Sequence, residues 1–231
     1  MFLSDFASMQ LGRQEQTVNI ERVSLVVPMR RPQAPPHLPG LGEVILTLPE
    51  GLTNLSSWRG VEGPAGRGAQ LATGAAAARG DWLLFLHADT RLGPGWEAAL
   101  LAAMRDPGRA GYFRLALDDA APAARRLERA VAWRCRVLAL PYGDQGLFIS
   151  RALYDAVGGF RPLPLMEDVE LVRRLGRRRL RPLDAEAITS AERFRREGYL
   201  RRSARNLSIL ALWHLGVGEA RLARLYDRRA K

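Results

Sequence analysis

At 231 residues, with 47% apolar and 26% charged side chains, the chain has the size and balance of one globular domain with an ample core. Its formal charge of +11 rests almost wholly on arginine, Lys231 being the only lysine, which suits phosphates, nucleotides or anionic lipid. The basic residues are spread along the chain without a nucleic-acid-binding module, the lone Cys135 excludes an intrachain disulfide, and no stretch approaches the roughly 18 to 20 apolar residues that span a bilayer.

In chain order, residues 1–16 lack the basic start and apolar core of a signal peptide. The expectation is a tail over residues 1–20, then a single domain over 21–231 in a cytoplasmic protein. The β-branched run at 23–27 predicts a buried strand stopped by Pro28, and residues 43–48 predict a second, stopped by Pro49. Between them, residues 30–40 carry too many prolines for a regular helix.

Residues 66–74 alternate glycine with helix formers and lead into four alanines, so a helix starts here. With Arg67 beside it, that start suits a phosphate contact; a tight turn into a packed helix is the plainer reading. Next, Trp82 to Leu86 is an apolar run without alternation, the pattern of a strand buried on both faces. His87 and Asp89 follow at its carboxyl end, the edge at which open α/β sheets bind ligands. On an extended segment they face the same way and suit a hard divalent cation, with Asp89 the better ligand; a turn cap and a hydrogen bond explain them as well. Pro94 and Gly95 introduce a helix with Trp96, Leu100 and Met104 on one side.

A strand over 111–117 and a helix over 123–138 come next. The glycines of Pro-Tyr-Gly-Asp-Gln-Gly at 141–146 predict a tight loop that exposes Asp144 and Gln145, followed by a short strand and a helix ended by Gly158 and Gly159. Val169, Val172 and Leu175 share a helical face, which puts Glu167 and Asp168 in the first turn. Acids are favoured there by the helix dipole, and one of them could equally serve as a general base. Finally, residues 194–229 form a helical segment, basic from Arg193 to Arg205 and apolar from Leu207 to Leu215. It reads either as a helix packed on the core or as a membrane-surface helix with Trp213 at the interface.

The segment LLFLHADTRLGPGW at 83–96 resembles the metal-binding segment of family 2 glycosyltransferases with the GT-A fold, in which an Asp-x-Asp motif ends the central strand. It is most similar to the bacterial branch associated with radical-SAM or selenium domains, where histidine replaces the first aspartate. This resemblance spans residues 23–226 and is strongest from Gly66 onward. It implies an α/β, Rossmann-like, mostly parallel sheet flanked by helices. It also implies transfer of a sugar from a nucleotide-sugar donor to an acceptor hydroxyl it does not identify; with no nucleophile evident opposite the base, a single displacement with inversion is the simpler mechanism. Mn2+ or Mg2+ would lie at Asp89 and His87. Arg67, Gln70 and Arg79 match the family's donor-side segment, Asp144 and Gln145 its Gly-Asp-Gln-Gly element, and Glu167 with Asp168 its x-Glu-Asp motif, whose aspartate is the usual base. The basic-then-apolar tail implies contact with an anionic membrane surface.

Two places depart from the family pattern. Residues 28–31 and 48–51 lack the polar turn and the acid that usually hold the base and ribose, unless Glu50 substitutes. The departures keep open a non-catalytic scaffold, and a nucleotidyltransferase of similar fold is a further alternative.

Overall fold

The computed structural model describes residues 18–31, 34–51 and 59–228. Nearly all of the expected tail, and the last residue of the expected helical segment, lie outside them.

Strands β1 (Val23–Pro28), β2 (Glu43–Pro49), β3 (Arg59–Gly63), β4 (Trp82–Phe85), β5 (Thr90–Leu92), β6 (Ala110–Leu117), β7 (Leu147–Ser150) and β8 (Leu180–Thr189) form one sheet. Its order is β3-β2-β1-β4-β7-β6-β8-β5. Helices α1 (Arg67–Ala77), α2 (Trp96–Met104), α3 (Pro122–Leu138), α4 (Arg151–Ala156), α5 (Glu167–Leu175), α6 (Glu192–Glu197), α7 (Tyr199–His214) and α8 (Glu219–Arg228) complete it. The strands expected near residues 23, 43, 82, 111 and 147 are all present. Sequence reading missed β3, β5 and β8, which are polar or interrupted by Pro182.

Four of the seven strand pairings are parallel: β1 with β2 and β4, β2 with β3, and β6 with β8. The other three, through β7 and β5, are antiparallel, so the sheet is α/β and mixed rather than parallel throughout. β7 enters beside β4 directly after the 142–146 turn, and that short connection from α3 reverses its direction.

Both faces of the central strands are covered, which is why their sequences do not alternate. Val26, Leu83 and Phe85 pack toward Leu71, Val172 and Phe160, whereas Leu25, Trp82, Leu84 and Leu86 pack toward Leu100 and Met104. Trp82 stacks on Phe148 with centroids 4.8 Å apart, and Phe85 meets Phe160 edge-on at 4.9 Å. Each aromatic pair adds about 1 kcal/mol to its area burial. Helix α1 lies close on the sheet at Gly74, where a Cβ would collide with Val26 and Thr47. No described helix is long and apolar enough to cross a membrane.

Candidate active site

Topology brings one set of chain segments to one edge. β6 and β8 run in the same direction as β4, and β7 runs against it. The carboxyl ends of β1, β4 and β8 therefore share an edge with the turn that precedes β7. A cleft of about 270 Å³ opens there, lined by Arg30 after β1, Arg67, His87 and Asp89, Tyr142 to Asp144, residues 164–169, and Thr189 and Ser190 after β8. Its outer wall comes from the helical end of the chain, through Arg193, Phe194, Arg202, Asn206, Ile209 and Tyr226.

Arg67, the first residue of α1, is the hub. Its guanidinium lies 3.0 Å from Glu167 and makes a short hydrogen bond to Nε2 of His87. With Nε2 accepting, the proton of the neutral imidazole sits on Nδ1, which faces Oδ1 of Asp89 at 3.9 Å. His87 stays neutral because burial and the positive charges of Arg67 and Arg193 hold its pKa well below the usual imidazole range.

Glu167 has a side chain only 3% exposed. Burial, with help from the neighbouring Asp168 charge, raises its pKa to about 7 against the pull of Arg67. Met166, in the left-handed region at φ 66°, turns the chain so that α5 starts with Glu167 and Asp168 at the cleft. Asp168 accepts from the Gly143 N–H at 2.6 Å through Oδ2 and from the Val169 N–H at 2.7 Å through Oδ1. A Cβ on Gly143 would fall on the Arg67 guanidinium, so the turn needs glycine to let Arg67 pass. Asp144 lines the same cleft; its Oδ1 is buried without a hydrogen-bond partner among the described residues, and burial raises its pKa.

Three expected site residues lie elsewhere. Gln145, expected to be exposed, is 1% exposed. Its amide donates to the Phe113 carbonyl and its oxygen accepts from Arg134, Cys135 and the Tyr142 N–H, which holds the turn in shape from below. Gln70 is buried and donates to the carbonyls of Met29 and Thr47, tying the ends of β1 and β2 together. Arg79 follows the far end of α1, beside the amino end of β4, where its backbone N–H meets Glu43. Eleven residues of helix carry the chain about 16 Å, so Arg67 and Arg79 cannot share a ligand edge. The glycine of this segment at Gly68 serves packing: a Cβ there would lie 2.7 Å from the Leu163 carbonyl.

Of the arginines expected to meet lipid, Arg193, Arg195, Arg196 and Arg201 are exposed, whereas Arg202 and Arg205 are drawn into ion pairs inside the molecule. Arg202 pairs with Glu197 at 2.9 Å and Arg205 with the same acid at 2.8 Å. Trp213 packs beneath Arg173 and donates to Glu219. Arg30, Tyr142, Arg193 and Asn206 escaped the sequence reading. Arg193 stands in a run of arginines where nothing local marks one as different.

The residues present fit a divalent cation that takes most of its ligands from a bound anion. Asp89, with a half-exposed side chain, offers oxygen, and His87 stands beside it. No group of three His, Cys, Asp or Glu gathers around a common point among the described residues.

Among solved structures, the fold is similar to that of S. aureus TarS in complex with UDP-GlcNAc, at a TM-score of 0.53 and 13% identity, over 73% of this chain and 58% of that one. It is also similar to GalNAc-T7 with UDP, GalNAc and Mn2+, at 0.51 and 14%, over 73% and 43%. Glucosyl-3-phosphoglycerate synthase from Mycobacterium tuberculosis, with Mg2+ and UDP, matches at 0.51 and 18%, over 75% and 72%. At these identities the likeness establishes the fold, which is that of GT-A glycosyltransferases. The chain spans less than half the length of the GalNAc-T7 chain. No curated protein matches the sequence. In sequence, residues 59–163, which hold Arg67, His87, Asp89 and the 142–146 turn and stop just short of Glu167, match the model of Glycosyl transferase family 2.

Proposed function

We propose that this protein transfers a sugar from a nucleoside-diphosphate donor to an acceptor hydroxyl. The observation that carries the reading is the convergence of Arg67, His87, Asp89 and Asp168 on one cleft at the carboxyl edge of the sheet. Asp168 takes the acceptor proton as the acceptor oxygen bonds to the anomeric carbon and the bond to the nucleoside diphosphate breaks. Glu167 is turned onto Arg67 and Asp144 buries one oxygen, which leaves Asp168 as the carboxylate offered to the acceptor. One base without a second carboxylate placed for covalent attack suits a single displacement with inversion. A bound Mn2+ or Mg2+ would polarise the diphosphate, with Asp89 as the main residue to hold it; His87 stands beside it with Nε2 engaged by Arg67. Arg67, fixed by Glu167 and His87, supplies positive charge that needs no reorganisation.

A second reading, a binding protein that keeps the fold without turnover, is favoured by the β1 and β2 side of the cleft. Among the described residues only Arg30 reaches it from there, and Glu50 is exposed and does not line it. A thermal-shift screen of nucleoside diphosphates and nucleotide sugars, with and without Mn2+, separates the two. Stabilisation by one nucleotide sugar followed by its consumption supports transfer; stabilisation without consumption across acceptors supports the binding protein. Association with an anionic membrane surface in the cytoplasm remains part of the proposal. Its support is the arginines that stay exposed, Arg193, Arg195, Arg196 and Arg201, together with Leu200, Leu207 and Leu215, which α7 and its end leave exposed, Leu200 at 88%.

A further inference from the structure

Four arginines from separate elements line the cleft: Arg30 after β1, Arg67 at the start of α1, Arg193 on α6 and Arg202 on α7, the last paired with Glu197. Arg67 is matched by Glu167. Arg30 and Arg193 have no hydrogen bond or carboxylate partner among the described residues. Their neighbours in the C-terminal run differ: Arg195 pairs with Asp118 at 3.4 Å, and Arg202 and Arg205 pair with Glu197. Arg195, Arg196, Arg202 and Arg205 of the run thus meet carboxylates, whereas Arg193 lines the cleft without one among the described residues.

Arg30 and Arg193 reach the cleft from the two sides of β4 in the sheet, with His87 and Asp89 at the end of β4 between them. Like charges held around a cleft repel until an anion enters, and an arginine fork matches two phosphate oxygens at once. Two such forks approaching from opposite sides suit two linked phosphates better than one. The cation side of the same cleft is sparse, because His87 already receives a hydrogen bond from Arg67 at Nε2, which leaves Asp89 as the main ligand. Most of the charge needed against a diphosphate is therefore guanidinium charge.

We propose that Arg193, with Arg30 across the cleft, binds the diphosphate group of the donor directly, without requiring a divalent cation, so that the C-terminal helices complete the donor site. This rests on the nucleoside-diphosphate reading above and gives it a residue outside the stretch that matches the family model.

The test is calorimetric titration of the full chain with inorganic pyrophosphate and with orthophosphate, each in EDTA and in Mn2+. Pyrophosphate should bind in EDTA, and about tenfold or more tighter than orthophosphate. Arg193→Ala should weaken pyrophosphate in EDTA by about tenfold, and Arg193→Lys should restore only part of that, since lysine lacks the fork. Arg193 is exposed on a short helix, and an unchanged melting temperature verifies that each variant is folded. Asp89→Asn should remove the gain from Mn2+. Pyrophosphate binding that appears only with Mn2+, or binding in EDTA indifferent to Arg193→Ala, overturns the proposal. UDP in the same titration separates this outcome from failure of the donor reading. UDP bound no better than pyrophosphate counts against a nucleotide donor, whereas tight UDP binding that ignores Arg193 counts against this assignment alone.

Discussion

The two rims of the cleft are built differently. On the side of α5 and the 142–146 turn, Arg67, His87, Gly143, Glu167 and Asp168 are joined by direct contacts, each restraining the next. On the side of β1 and β2, prolines close the strands, Gln70 ties their carbonyls together, and Arg30 alone among the described residues reaches the cleft. Coupled polar groups in a half-buried setting tolerate few changes, because removing one leaves another without its partner. The sparse rim has little to lose. Chemistry is thus concentrated on the first rim, while the second contributes shape and a single charge.

The largest effect should come from the coupled rim. Asp168→Asn keeps the volume and the ability to accept both backbone hydrogen bonds but cannot take a proton. Turnover in a transfer assay should fall roughly 10²-fold or more, with donor affinity unchanged. Little change in turnover would reduce Asp168 to a helix-terminal acid.

Glu167 gives a pH signature. Its pKa is raised from the ordinary 4.5 to about 7 in the folded protein. Between those values the folded state holds more protons than the unfolded one. The group's contribution to stability is therefore full below the unfolded value and is lost as pH climbs through 7. Its loss is on the order of 3 kcal/mol at most, given that Arg67 is partly exposed and screened. Melting temperatures from pH 5 to 8.5 should fall more steeply in the wild type than in Glu167→Gln, which does not titrate. Parallel curves would remove the perturbed carboxyl. A rate midpoint near pH 7 that disappears in Glu167→Gln would move the base from Asp168 to Glu167.

A paired comparison of the two ends of α1 comes next. Arg67→Ala should weaken binding of a nucleoside diphosphate about tenfold, the scale of a charge-assisted hydrogen bond of about 1.5 kcal/mol. Arg79→Ala, at the opposite edge of the sheet, should leave it within about twofold. Equal losses would mean that the ligand does not sit at the carboxyl edge.

Smaller still are the effects expected on the sparse rim and the outer surface. Glu50→Gln should change donor affinity by less than about twofold, in keeping with a surface substitution. A clear loss would show that this rim holds the ribose after all. Replacing Leu200 and Leu207 with aspartate should reduce co-sedimentation with anionic vesicles by a few-fold, since each leucine contributes on the order of 1 kcal/mol when buried in the interface. Unchanged sedimentation would leave α7 as a wall of the cleft only.

Much of the frame was legible in the chain. Trp82 to Leu86 reads as a doubly buried strand because five successive apolar residues satisfy both faces, and His87 and Asp89 necessarily stand at its end. The helical spacing of Val169, Val172 and Leu175 likewise placed Glu167 and Asp168 in a first turn. Local periodicity carries such information because burial is decided within a few residues.

What periodicity does not carry is which far-apart groups meet, and in which direction a polar side chain points. Gln145 sits in a glycine-flanked turn, the usual surroundings of an exposed residue, yet Phe113 and Arg134 draw its amide inward. Arg67 and Arg79 belong to one motif in the sequence and to opposite edges of the sheet in space. Arg193 is one arginine among many until the fold brings it to the cleft beside His87, where its neighbours find carboxylates and it, among the described residues, does not. The sequence alone determined the central strands, the main helices and the edge at which the acids lie, though not the polar or interrupted strands β3, β5 and β8. Only the tertiary structure decided which charges are neutralised, because an ion pair depends on distances across the fold that no local pattern records.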